Sequence, residues 1–545
     1  MLSVTSQSRR SIAILSAGAA VLLLTGMGVS QASADSLTWN PAKSNAGGTN
    51  GTGTWNSSGA YWYDTTSSTG PVAWANGDGA YFGSGTSGSG TYTVTLGSSG
   101  TYSTANLGAN NSGNAYVLDG SSNTVTGSGQ VVVNGNLTLE NITLSGYKNI
   151  AVNTGAVIGS VLNINTGTTI SMAATSTNLY LSDVTSGAAG TTGTVNVNGG
   201  SVTVGAITVP ANIINQTGIL NINSGTVTAI AAAGVTSKSS SSVGSPTIVN
   251  LNGGTLNTNW ITSTNNGNME VNFNGGTLQS HVGGGIGAAN ASPYTIPTNL
   301  NVQGGGAIID SNAHAYWIQS PLLHAAALGS TPDGGLTVMD SKATGAQTAS
   351  YVTLQGTNTY TGPTTVQAGG DLVLAGAATA ANSASLAAAT IADSSSVTIA
   401  SNAVLTLAND AAATQVQALN ISGGGINFFL NSTQSPTLSI GSKANVSGAN
   451  IINVFAGPGA TSFTDGTYTL ITDSFGGLSG GTFQFGSGQT ATASVGGNSY
   501  LLTLGSSDTA ETLTIGPVPE PATLGLFAIG GMALVLLGRK RKAQI

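Results

Sequence analysis

The chain has 545 residues, of which 80 are Gly and none is Cys, and only 5% of them are charged. The absence of thiols excludes a disulfide framework, thiolate metal sites and a cysteine nucleophile. Apart from two basic clusters near the termini, the chain keeps five lysines and no arginine against 18 acidic residues, a net charge of −13. Nucleic-acid binding needs basic patches that neutralise phosphates, so we expect no nucleic-acid partner.

Residues 1–34 have the order of a secretory signal peptide. Arg9 and Arg10 form a positive n-region, residues 12–29 form an apolar h-region, and Ala32 and Ala34 flank Ser33 in a small-residue cleavage site. We therefore predict that signal peptidase cleaves after Ala34 and that the remaining chain is exported. An uncleaved signal anchor is the alternative.

The next segment, residues 35–115, is predicted to be an N-terminal β capping region. It holds an unusual share of the aromatic residues, namely Trp39, Trp55, Trp62, Trp74 and the pair Tyr81-Phe82. An open end of a repetitive β structure exposes unpaired strand edges that invite aggregation, so a cap is expected there. A carbohydrate-binding platform made by the same aromatic side chains is the functional alternative.

An internal repeat is the strongest signal in the interior. Five hexapeptides align without gaps: Leu-Asn-Ile-Asn-Thr-Gly at 162–167, Val-Asn-Val-Asn-Gly-Gly at 195–200, Leu-Asn-Ile-Asn-Ser-Gly at 220–225, Val-Asn-Leu-Asn-Gly-Gly at 249–254 and Val-Asn-Phe-Asn-Gly-Gly at 271–276. Alternate apolar residues point to one face of a strand and the Asn side chains to the other, while Gly permits a tight corner.

One such unit cannot bury its own apolar face, whereas stacked coils about 4.8 Å apart form a continuous core. Residues 116–450 are therefore predicted to be β-helix repeats in an all-β, parallel solenoid, with Asn ladders as extra hydrogen bonds between coils. Longer loops are expected at 231–245 and 283–298, and a short helix or a loop at 375–390. A sandwich or barrel of antiparallel hairpins is the competing architecture.

A second pattern lies at residues 354–370, Leu-Gln-Gly-Thr-Asn-Thr-Tyr-Thr-Gly-Pro-Thr-Thr-Val-Gln-Ala-Gly-Gly, and continues through Leu-Val-Leu at 372–374. It resembles the autotransporter-associated β-strand repeat of large exported passenger domains, which form right-handed β-helices. The resemblance implies a right-handed solenoid. The alternating strands of a large outer-membrane barrel do not follow, so the chain departs from a self-transporting autotransporter. Residues 451–515 are predicted to form a C-terminal β cap.

Carbohydrate-active β-helices are the enzyme class to test against this sequence. Lyases that resemble pectate lyase use an arginine base, which the interior lacks. Asp310, Asp333 and Asp340, with His314 and His324, come nearest to the clustered carboxylates that glycoside hydrolysis requires. Dispersed loop carboxylates are much commoner than such a site. We therefore predict a protein without catalytic residues, and a carbohydrate-active enzyme that uses these aspartates remains the alternative.

Metal and cofactor motifs are not evident. The three histidines, His281, His314 and His324, do not have the spacing of a metal motif such as H-E-x-x-H. Calcium-binding nonapeptides of the Gly-Gly-x-Gly-x-Asp type do not occur. A phosphate-binding loop is missing as well, because Gly-Gly-Gly at 304–306 is not followed by a Lys. We expect no metal and no cofactor.

The C-terminal segment, residues 516–545, has three parts. Val518, Pro519, Glu520 and Pro521 precede an uncharged run at 522–538, and a basic stop of Arg539, Lys540, Arg541 and Lys542 ends it. Seventeen residues of helix at 1.5 Å each span roughly 26 Å, enough for a thin bilayer core. A basic end stays cytoplasmic, so the run is predicted to be a transmembrane helix with the preceding chain outside the inner membrane.

This order resembles the PEP-CTERM sorting signal of Gram-negative bacteria. The resemblance implies an exosortase partner that cuts near the Pro-Glu-Pro box and passes the protein from the inner membrane to the cell surface or extracellular matrix. It also implies a structural or adhesive role in exopolysaccharide or biofilm material. A plain single-pass anchor is the alternative for the tail, and a sugar-binding module is the alternative for the body.

Overall fold

The computed structural model describes residues 34–518, apart from the segments 84–88, 98–100, 154–158, 183–189, 210–215, 239–245, 265–267, 288–293, 296–298, 344–349, 376–388, 409–412, 431–434 and 458–459 and residues 487 and 489. The described strands lie in the part of the chain that begins at Asp35. The fold is all-β, and within the described residues the helical elements are two short 3₁₀ turns, Ala326–Leu328 and Leu478–Gly480.

The strands follow one another closely along the chain. The first group is β1 Ser36–Trp39, β2 Gly53–Trp55, β3 Trp62–Asp64, β4 Thr69–Val72, β5 Gly79–Phe82, β6 Thr91–Leu96, β7 Tyr102–Thr104, β8 Leu107–Asp119, β9 Thr124–Gly127, β10 Gln130–Glu140, β11 Thr143–Ser145, β12 Asn149–Val152, β13 Gly159–Asn165, β14 Thr169–Ser171 and β15 Asn178–Leu181. The second is β16 Thr192–Val204, β17 Ala206–Val209, β18 Thr217–Ala229, β19 Val235–Lys238, β20 Thr247–Leu251, β21 Thr255–Thr264, β22 Met269–Phe273, β23 Thr277–Ile286, β24 Tyr294–Thr295, β25 Asn299–Val302, β26 Ala307–Asp310, β27 Ala315–Ile318, β28 Leu322–His324, β29 Leu336–Met339 and β30 Tyr351–Leu354. The third is β31 Thr364–Val366, β32 Asp371–Ala375, β33 Val397–Ile399, β34 Val404–Ala408, β35 Thr414–Val416, β36 Leu419–Ser422, β37 Gly425–Leu430, β38 Leu438–Ile440, β39 Asn445–Ser447, β40 Ala449–Ala456, β41 Gly466–Asp473, β42 Thr482–Gln484, β43 Thr490–Val495, β44 Asn498–Ser506 and β45 Ala510–Pro517.

Most strands pair in parallel with the equivalent strand of the next coil, and this pairing forms three columns. The first column is β2-β6-β8-β10-β13-β16-β18-β20-β22-β25-β28. The second is β7-β9-β11-β14-β16-β18-β21-β23-β26-β29-β31-β33-β36-β39. The third is β1-β5-β8-β10-β12-β15-β17-β19-β21-β23-β27-β30-β32-β34-β37-β40-β42.

The five repeated hexapeptides fall into one register in the first column. Asn163 pairs with Asn196, Asn196 with Asn221, Asn221 with Asn250, and Asn250 with Asn272. The prediction of mostly parallel pairing between repeats is confirmed for the described strands, and antiparallel hairpins are not their main architecture. The right-handed sense of the coils stays a prediction.

The core lies between the three columns, because alternate residues of each strand point inward. In β10, for example, Val131, Val133, Leu137 and Leu139 are fully buried, while the alternate residues 132, 134, 136 and 138 are half-buried. Fully burying one aliphatic side chain stabilises a fold by about 1.5–3 kcal/mol. The parallel backbone ladders satisfy the polar groups of the strands, so this apolar column needs no disulfide.

Asparagine ladders run along the outer side of the first column, as the sequence predicts. Side-chain amides bond in sequence from Asn163 through Asn196, Asn221, Asn250 and Asn272 to Asn301, with nitrogen to oxygen distances of 2.6–2.9 Å. A second ladder joins Asn165, Asn198, Asn223 and Asn252 at 2.8–3.2 Å. Each amide donates to the coil before it and accepts from the coil after it, so the ladders fix the register between coils.

We expect Asn196→Ala to lower the free energy of unfolding by about 1–2 kcal/mol, because two hydrogen bonds of one ladder are lost and their partners are left half-buried. Chemical denaturation followed by circular dichroism measures the change. Thr194→Ala, at the preceding outward position of β16, is the matched control. Equal midpoints for the two variants would show that the ladder contributes nothing to stability.

Glycine makes the corner between the first and second columns possible. At Gly225 φ is +81°, and a Cβ there would lie 2.2 Å from the carbonyl oxygen of Gly200 in the preceding coil. A side chain would therefore meet both backbone strain and a backbone clash. A Cβ at the last position of any of the five hexapeptides would lie 2.2–2.8 Å from a neighbouring atom, so close approach explains why they end in Gly. A positive φ adds backbone strain at Gly167 and Gly225.

The N-terminal segment mixes two kinds of pairing. β3 pairs antiparallel with β1 and β4, whereas β1–β5, β2–β6 and β5–β8 are parallel and continue into the columns. Coil pairing therefore begins within residues 35–115, the segment predicted to be a cap. Four tryptophans, Trp39, Trp55, Trp62 and Trp74, fill the core at this end, with 0–5% of their surface exposed.

A second sheet forms the C-terminal part, in the order β35-β38-β41-β45-β44-β43. β35, β38 and β41 are parallel, while β41, β45, β44 and β43 are antiparallel neighbours. The sequence predicts longer alternating strands in this part, and β41, β43, β44 and β45 are such strands. β42, which lies between them in the chain, still pairs in parallel with β40 of the third column. The coil strand β40 crosses the predicted boundary at residue 451 and still pairs in parallel with β37.

Two segments predicted to be loops contain strands of the third column. β19 lies inside 231–245, and β23 continues to Ile286 inside 283–298. The prediction that these segments are loops was therefore wrong. Their strand sequences, Val-Thr-Ser-Lys and Gly-Gly-Gly-Ile, contain too few apolar residues for the alternating pattern of a strand to be recognised. Most of the segment 375–390, predicted to be a helix or a loop, lies outside the described residues.

Candidate functional site

A groove of about 620 Å³ follows the outer side of the third column across β27, β30, β32, β34, β37 and β40. Its floor is one register row, in which each residue pairs with the next: Trp317, Thr353, Val373, Thr406, Asn427 and Asn453. At about 4.8 Å between strands, five steps give a length of about 24 Å. The groove therefore runs along the stack of coils rather than within one coil.

Side-chain size creates the groove. Trp317 and Tyr351 stand at one end with ring centroids 6.4 Å apart. Phe429 and Phe455 stack at the other end, 5.1 Å apart with an interplanar angle of 29°. The strands between them present small residues, such as the paired Ala375 and Ala408. Large rings therefore bound a shallow floor.

The floor carries a directional row of hydrogen bonds. The Asn453 amide donates to Asn427 Oδ1 at 2.9 Å, the Asn427 amide donates to Thr406 Oγ1 at 3.0 Å, and the Thr406 hydroxyl donates to Asp371 Oδ1 at 2.9 Å. The row of hydrogen bonds ends at the Asp371 carboxylate. Asn453 Oδ1, at the other end, accepts no hydrogen bond from the described residues.

Asp371 is the one ionisable carboxyl group among the lining residues, and no lysine, arginine or histidine is among them. Burial raises the pKa of Asp371 to about 6, against the opposing effect of the Thr406 hydrogen bond. Burial, and then the nearby Asp371 charge, raises the pKa of Tyr351. The groove is therefore neutral to weakly acidic.

One polar group of the lining is both buried and unpartnered. The Gln355 side chain is 1% exposed, and its Oε1 accepts no hydrogen bond from the described residues. A buried acceptor without a partner costs about 1–3 kcal/mol, so a donor supplied from outside the chain would be favourable there.

The lining offers groups that can hold a ligand. Glycoside hydrolysis requires a pair of carboxyl groups, and this lining has one. Aromatic rings, amides and a hydroxyl row can hold a ligand without activating a nucleophile. Among the described residues, no group of three or more His, Asp or Glu side chains could hold a metal ion.

The sequence did not indicate this groove. Trp317, Phe429 and Phe455 lie at outward positions of strands in separate coils, and only the register of the third column brings them to one face. A sequence signal does exist: in Gly-Ile-Asn-Phe-Phe-Leu at 425–430, Asn427 and Phe429 alternate with buried Ile426 and Phe428.

The structure places Asp310 and Asp340 in buried turns of adjacent coils. Asp310 Oδ1 accepts hydrogen bonds from the N–H groups of Asn312 and Ser341, and its Oδ2 accepts one from Gln279. Asp340 Oδ1 accepts from two backbone N–H groups, and its Oδ2 accepts from the Ser350 hydroxyl at 2.6 Å. Their exposed fractions are 2% and 6%. These carboxylates close turns and join coils, which is a structural use.

Asp333 and His324 form a close pair, with Nδ1 of the imidazole 2.8 Å from Oδ2. The hydrogen bond to Asp333 raises the pKa of His324. Burial works to raise the pKa of Asp333, but hydrogen bonds from Thr361, His324 and two glycine N–H groups outweigh it and lower that pKa. Asp333 is 5% exposed, and its oxygens accept bonds from Gly335, Thr361 and Gly362, which ties two coils together.

The remaining histidines are not part of this pair. His281 Nδ1 lies 2.8 Å from Oδ1 of Asn257, and burial lowers its pKa. His314 lines a separate depression of about 490 Å³ beside Trp260. The structure thus does not bring the candidate residues Asp310, Asp333, Asp340 and the histidines together as one open site.

The N-terminal tryptophans do not form a surface platform. The indole rings of Trp39, Trp55 and Trp62 are fully buried, and their centroids lie 5.2 Å apart in edge-to-face contacts. A sugar ring cannot reach these faces. The carbohydrate platform suggested for Trp39, Trp55, Trp62 and Trp74 is therefore wrong, and the aromatic side chains pack the end of the core.

The predicted targeting residues lie almost wholly outside the described residues. These are the signal peptide with Arg9, Arg10, Ala32 and the cleavage site, the box residues Pro519, Glu520 and Pro521, the span 522–538 and the basic stop at 539–542. Val518, which is described, follows the end of β45 directly. Among the described residues, no helix has the length and apolar character that crossing a membrane requires.

Comparison with known proteins gives one match. The family model described as the PEP-CTERM protein-sorting motif matches residues 517–542, beginning at the last residue of β45. No similarity to a curated protein or to a solved structure was found. The match covers the tail alone, and it agrees with the tail resemblance drawn from the sequence. The motif indicates an exported surface protein that is sorted by an exosortase.

Proposed function

We propose that the protein is a noncatalytic surface β-solenoid, right-handed in its coils, with a structural or adhesive role in exopolysaccharide or biofilm material. The observation that carries this proposal is the sorting motif at 517–542, which follows the last described strand without a linker. Signal peptidase would cleave after Ala34, and the helix at 522–538 would hold the chain in the inner membrane until an exosortase acts near Pro519-Glu520-Pro521.

Three properties of the body support a structural role. The coils are joined by parallel backbone ladders and by rows of Asn amides. The carboxylates that came nearest to a catalytic cluster are buried and accept hydrogen bonds from backbone N–H groups. The body also lacks arginine and cysteine, so guanidinium contacts and thiol chemistry contribute nothing to it.

The test is mass spectrometry of the C-terminus of the protein isolated from the cell surface of the producing bacterium. We expect the residues after Pro521 to be missing, and we expect replacement of Pro519, Glu520 and Pro521 by Ala to leave the whole tail attached in the inner-membrane fraction. An intact tail on surface-exposed protein would instead indicate a plain single-pass anchor.

The adhesive role requires a separate measurement. A strain that lacks the protein should form less surface-attached biofilm than the parent strain, and expression of the wild-type chain should restore it. Equal biofilm mass with and without the protein would contradict the proposed role while leaving the sorting route intact.

A further inference from the structure

From the groove over β27 to β40 we infer that the body binds an uncharged polysaccharide chain lengthwise, in a site of several sugar units. The inference rests on the proposed surface location and adds the site and the class of ligand. The groove is about 24 Å long, which follows from five strand spacings of about 4.8 Å, and has a volume of about 620 Å³. An extended chain fits this shape better than a compact small molecule.

The two ends of the groove offer flat apolar surfaces. Phe455 is 43% exposed, although a large apolar side chain is normally buried, and it stacks on Phe429. Trp317 and Tyr351 form the corresponding pair at the other end. The apolar C–H faces of pyranose rings pack on aromatic faces, so each pair can hold one sugar unit.

The floor between the aromatic pairs offers hydrogen bonds. Thr406, Asn427 and Asn453 present hydroxyl and amide groups that are already aligned by their mutual bonds. The Asn453 Oδ1 remains available as an acceptor, and sugar hydroxyl groups are donors that would satisfy it. A lipid surface has no groups for this row.

Charge selects the class of polysaccharide. The lining has no cationic side chain and one carboxyl group, Asp371, at the centre of the length. A uronic acid or sulfated chain would bring like charge to Asp371 and would find no cation to compensate it. A chain of neutral sugars meets no such penalty.

Calorimetric titration of the full-length protein tests the inference. The probes are neutral hexasaccharides, namely cellohexaose, laminarihexaose, isomaltohexaose and chitohexaose, with hexagalacturonate as the charged probe of equal length. We expect at least one neutral probe to bind and hexagalacturonate to bind at least tenfold more weakly. Failure of all four neutral probes, or equal binding of hexagalacturonate, would overturn the inference.

Variants localise the binding. Phe455→Ala should weaken the neutral probe at least tenfold, and Trp317→Ala should do the same from the other end. Phe475→Ala is the matched control, because Phe475 is 67% exposed and lies outside the groove. Since Phe455 is partly exposed, its variant should fold as the wild type does, which circular dichroism checks. Unchanged affinity in folded Phe455→Ala would place binding elsewhere.

Two further measurements separate this inference from other occupants and from the proposed function. Asp371→Asn should raise the affinity for hexagalacturonate, because the like charge is removed. Tighter binding of an extended Val/Thr peptide than of any glycan would indicate a protein partner and would overturn the inference. Mass spectrometry should show that the tail is removed in cells to the same extent from Phe455→Ala as from the wild type. A failure of sorting is therefore distinguishable from a failure of binding.

Discussion

Trp62→Ala should lower the free energy of unfolding by about 3–5 kcal/mol, the range for removing a large buried aromatic side chain. Trp62 is fully buried and contacts Trp39 and Trp55 edge to face, each with centroids 5.2 Å away. Truncation would leave a cavity where the N-terminal coils meet the core. Denaturation followed by near-ultraviolet circular dichroism, which reports aromatic packing, measures the loss.

Tyr63→Ala is the control for this prediction. Tyr63 follows Trp62 in β3 but points outward and is half-buried, so its loss should cost much less. If the two variants were equally stable, the tryptophan cluster would not be the anchor of this end of the core. The comparison also separates packing from ligand binding, because a surface platform would lose binding without losing stability.

Glu511→Gln should stabilise the C-terminal sheet at pH 8 by on the order of 2 kcal/mol and leave it unchanged near pH 4. Burial raises the pKa of Glu511 to about 7, and the Ser506 hydroxyl bond only partly opposes this effect. The side chain is fully buried in β45, and its Oε1 accepts no hydrogen bond from the described residues. Among the described residues, the Ser506 hydroxyl is therefore the one side chain that compensates the ionised carboxylate.

The pH dependence follows from the sign of this shift. Because the pKa of Glu511 is higher in the folded chain than the ordinary 4.5, its contribution is fully present below about pH 4.5 and is lost as the pH rises through about 7. Thermal unfolding between pH 4 and pH 8 should show this decline in the wild type and a flatter profile in Glu511→Gln. Asp465→Asn, at an exposed position of the same region, is the control. Parallel profiles for wild type and Glu511→Gln would contradict the prediction.

The first column could be predicted because its repeats are explicit in the sequence. Each hexapeptide places two apolar residues inward and two Asn residues outward, and Asn163, Asn196 and Asn221 fall into register as that pattern requires. The third column was harder to foresee. Its strands follow insertions of unequal length, and β19 or the glycine-rich end of β23 has few apolar residues to mark it.

Whether the polar and aromatic side chains are buried or exposed, and which groups they contact, depends on the register between coils. A local sequence pattern does not give that register. Asp310 and Asp340 looked like a dispersed pair, but their turns lie in adjacent coils, where neighbouring backbone N–H groups occupy their oxygens. The same register brings Trp317 and Phe455 to one groove. A cluster of tryptophans in sequence likewise does not tell whether the rings face outward or pack on one another, and here they pack.

The position of β45 determines how the protein responds when its tail is pulled. β45 lies between β41 and β44, antiparallel to both, and it ends at Pro517 where the sorting motif begins. A force directed along β45 from Pro517 would load the hydrogen bonds on both of its sides in shear at the same time. The tail thus joins the sheet at a strand with a neighbour on each side, a geometry that resists such a force better than an edge strand does.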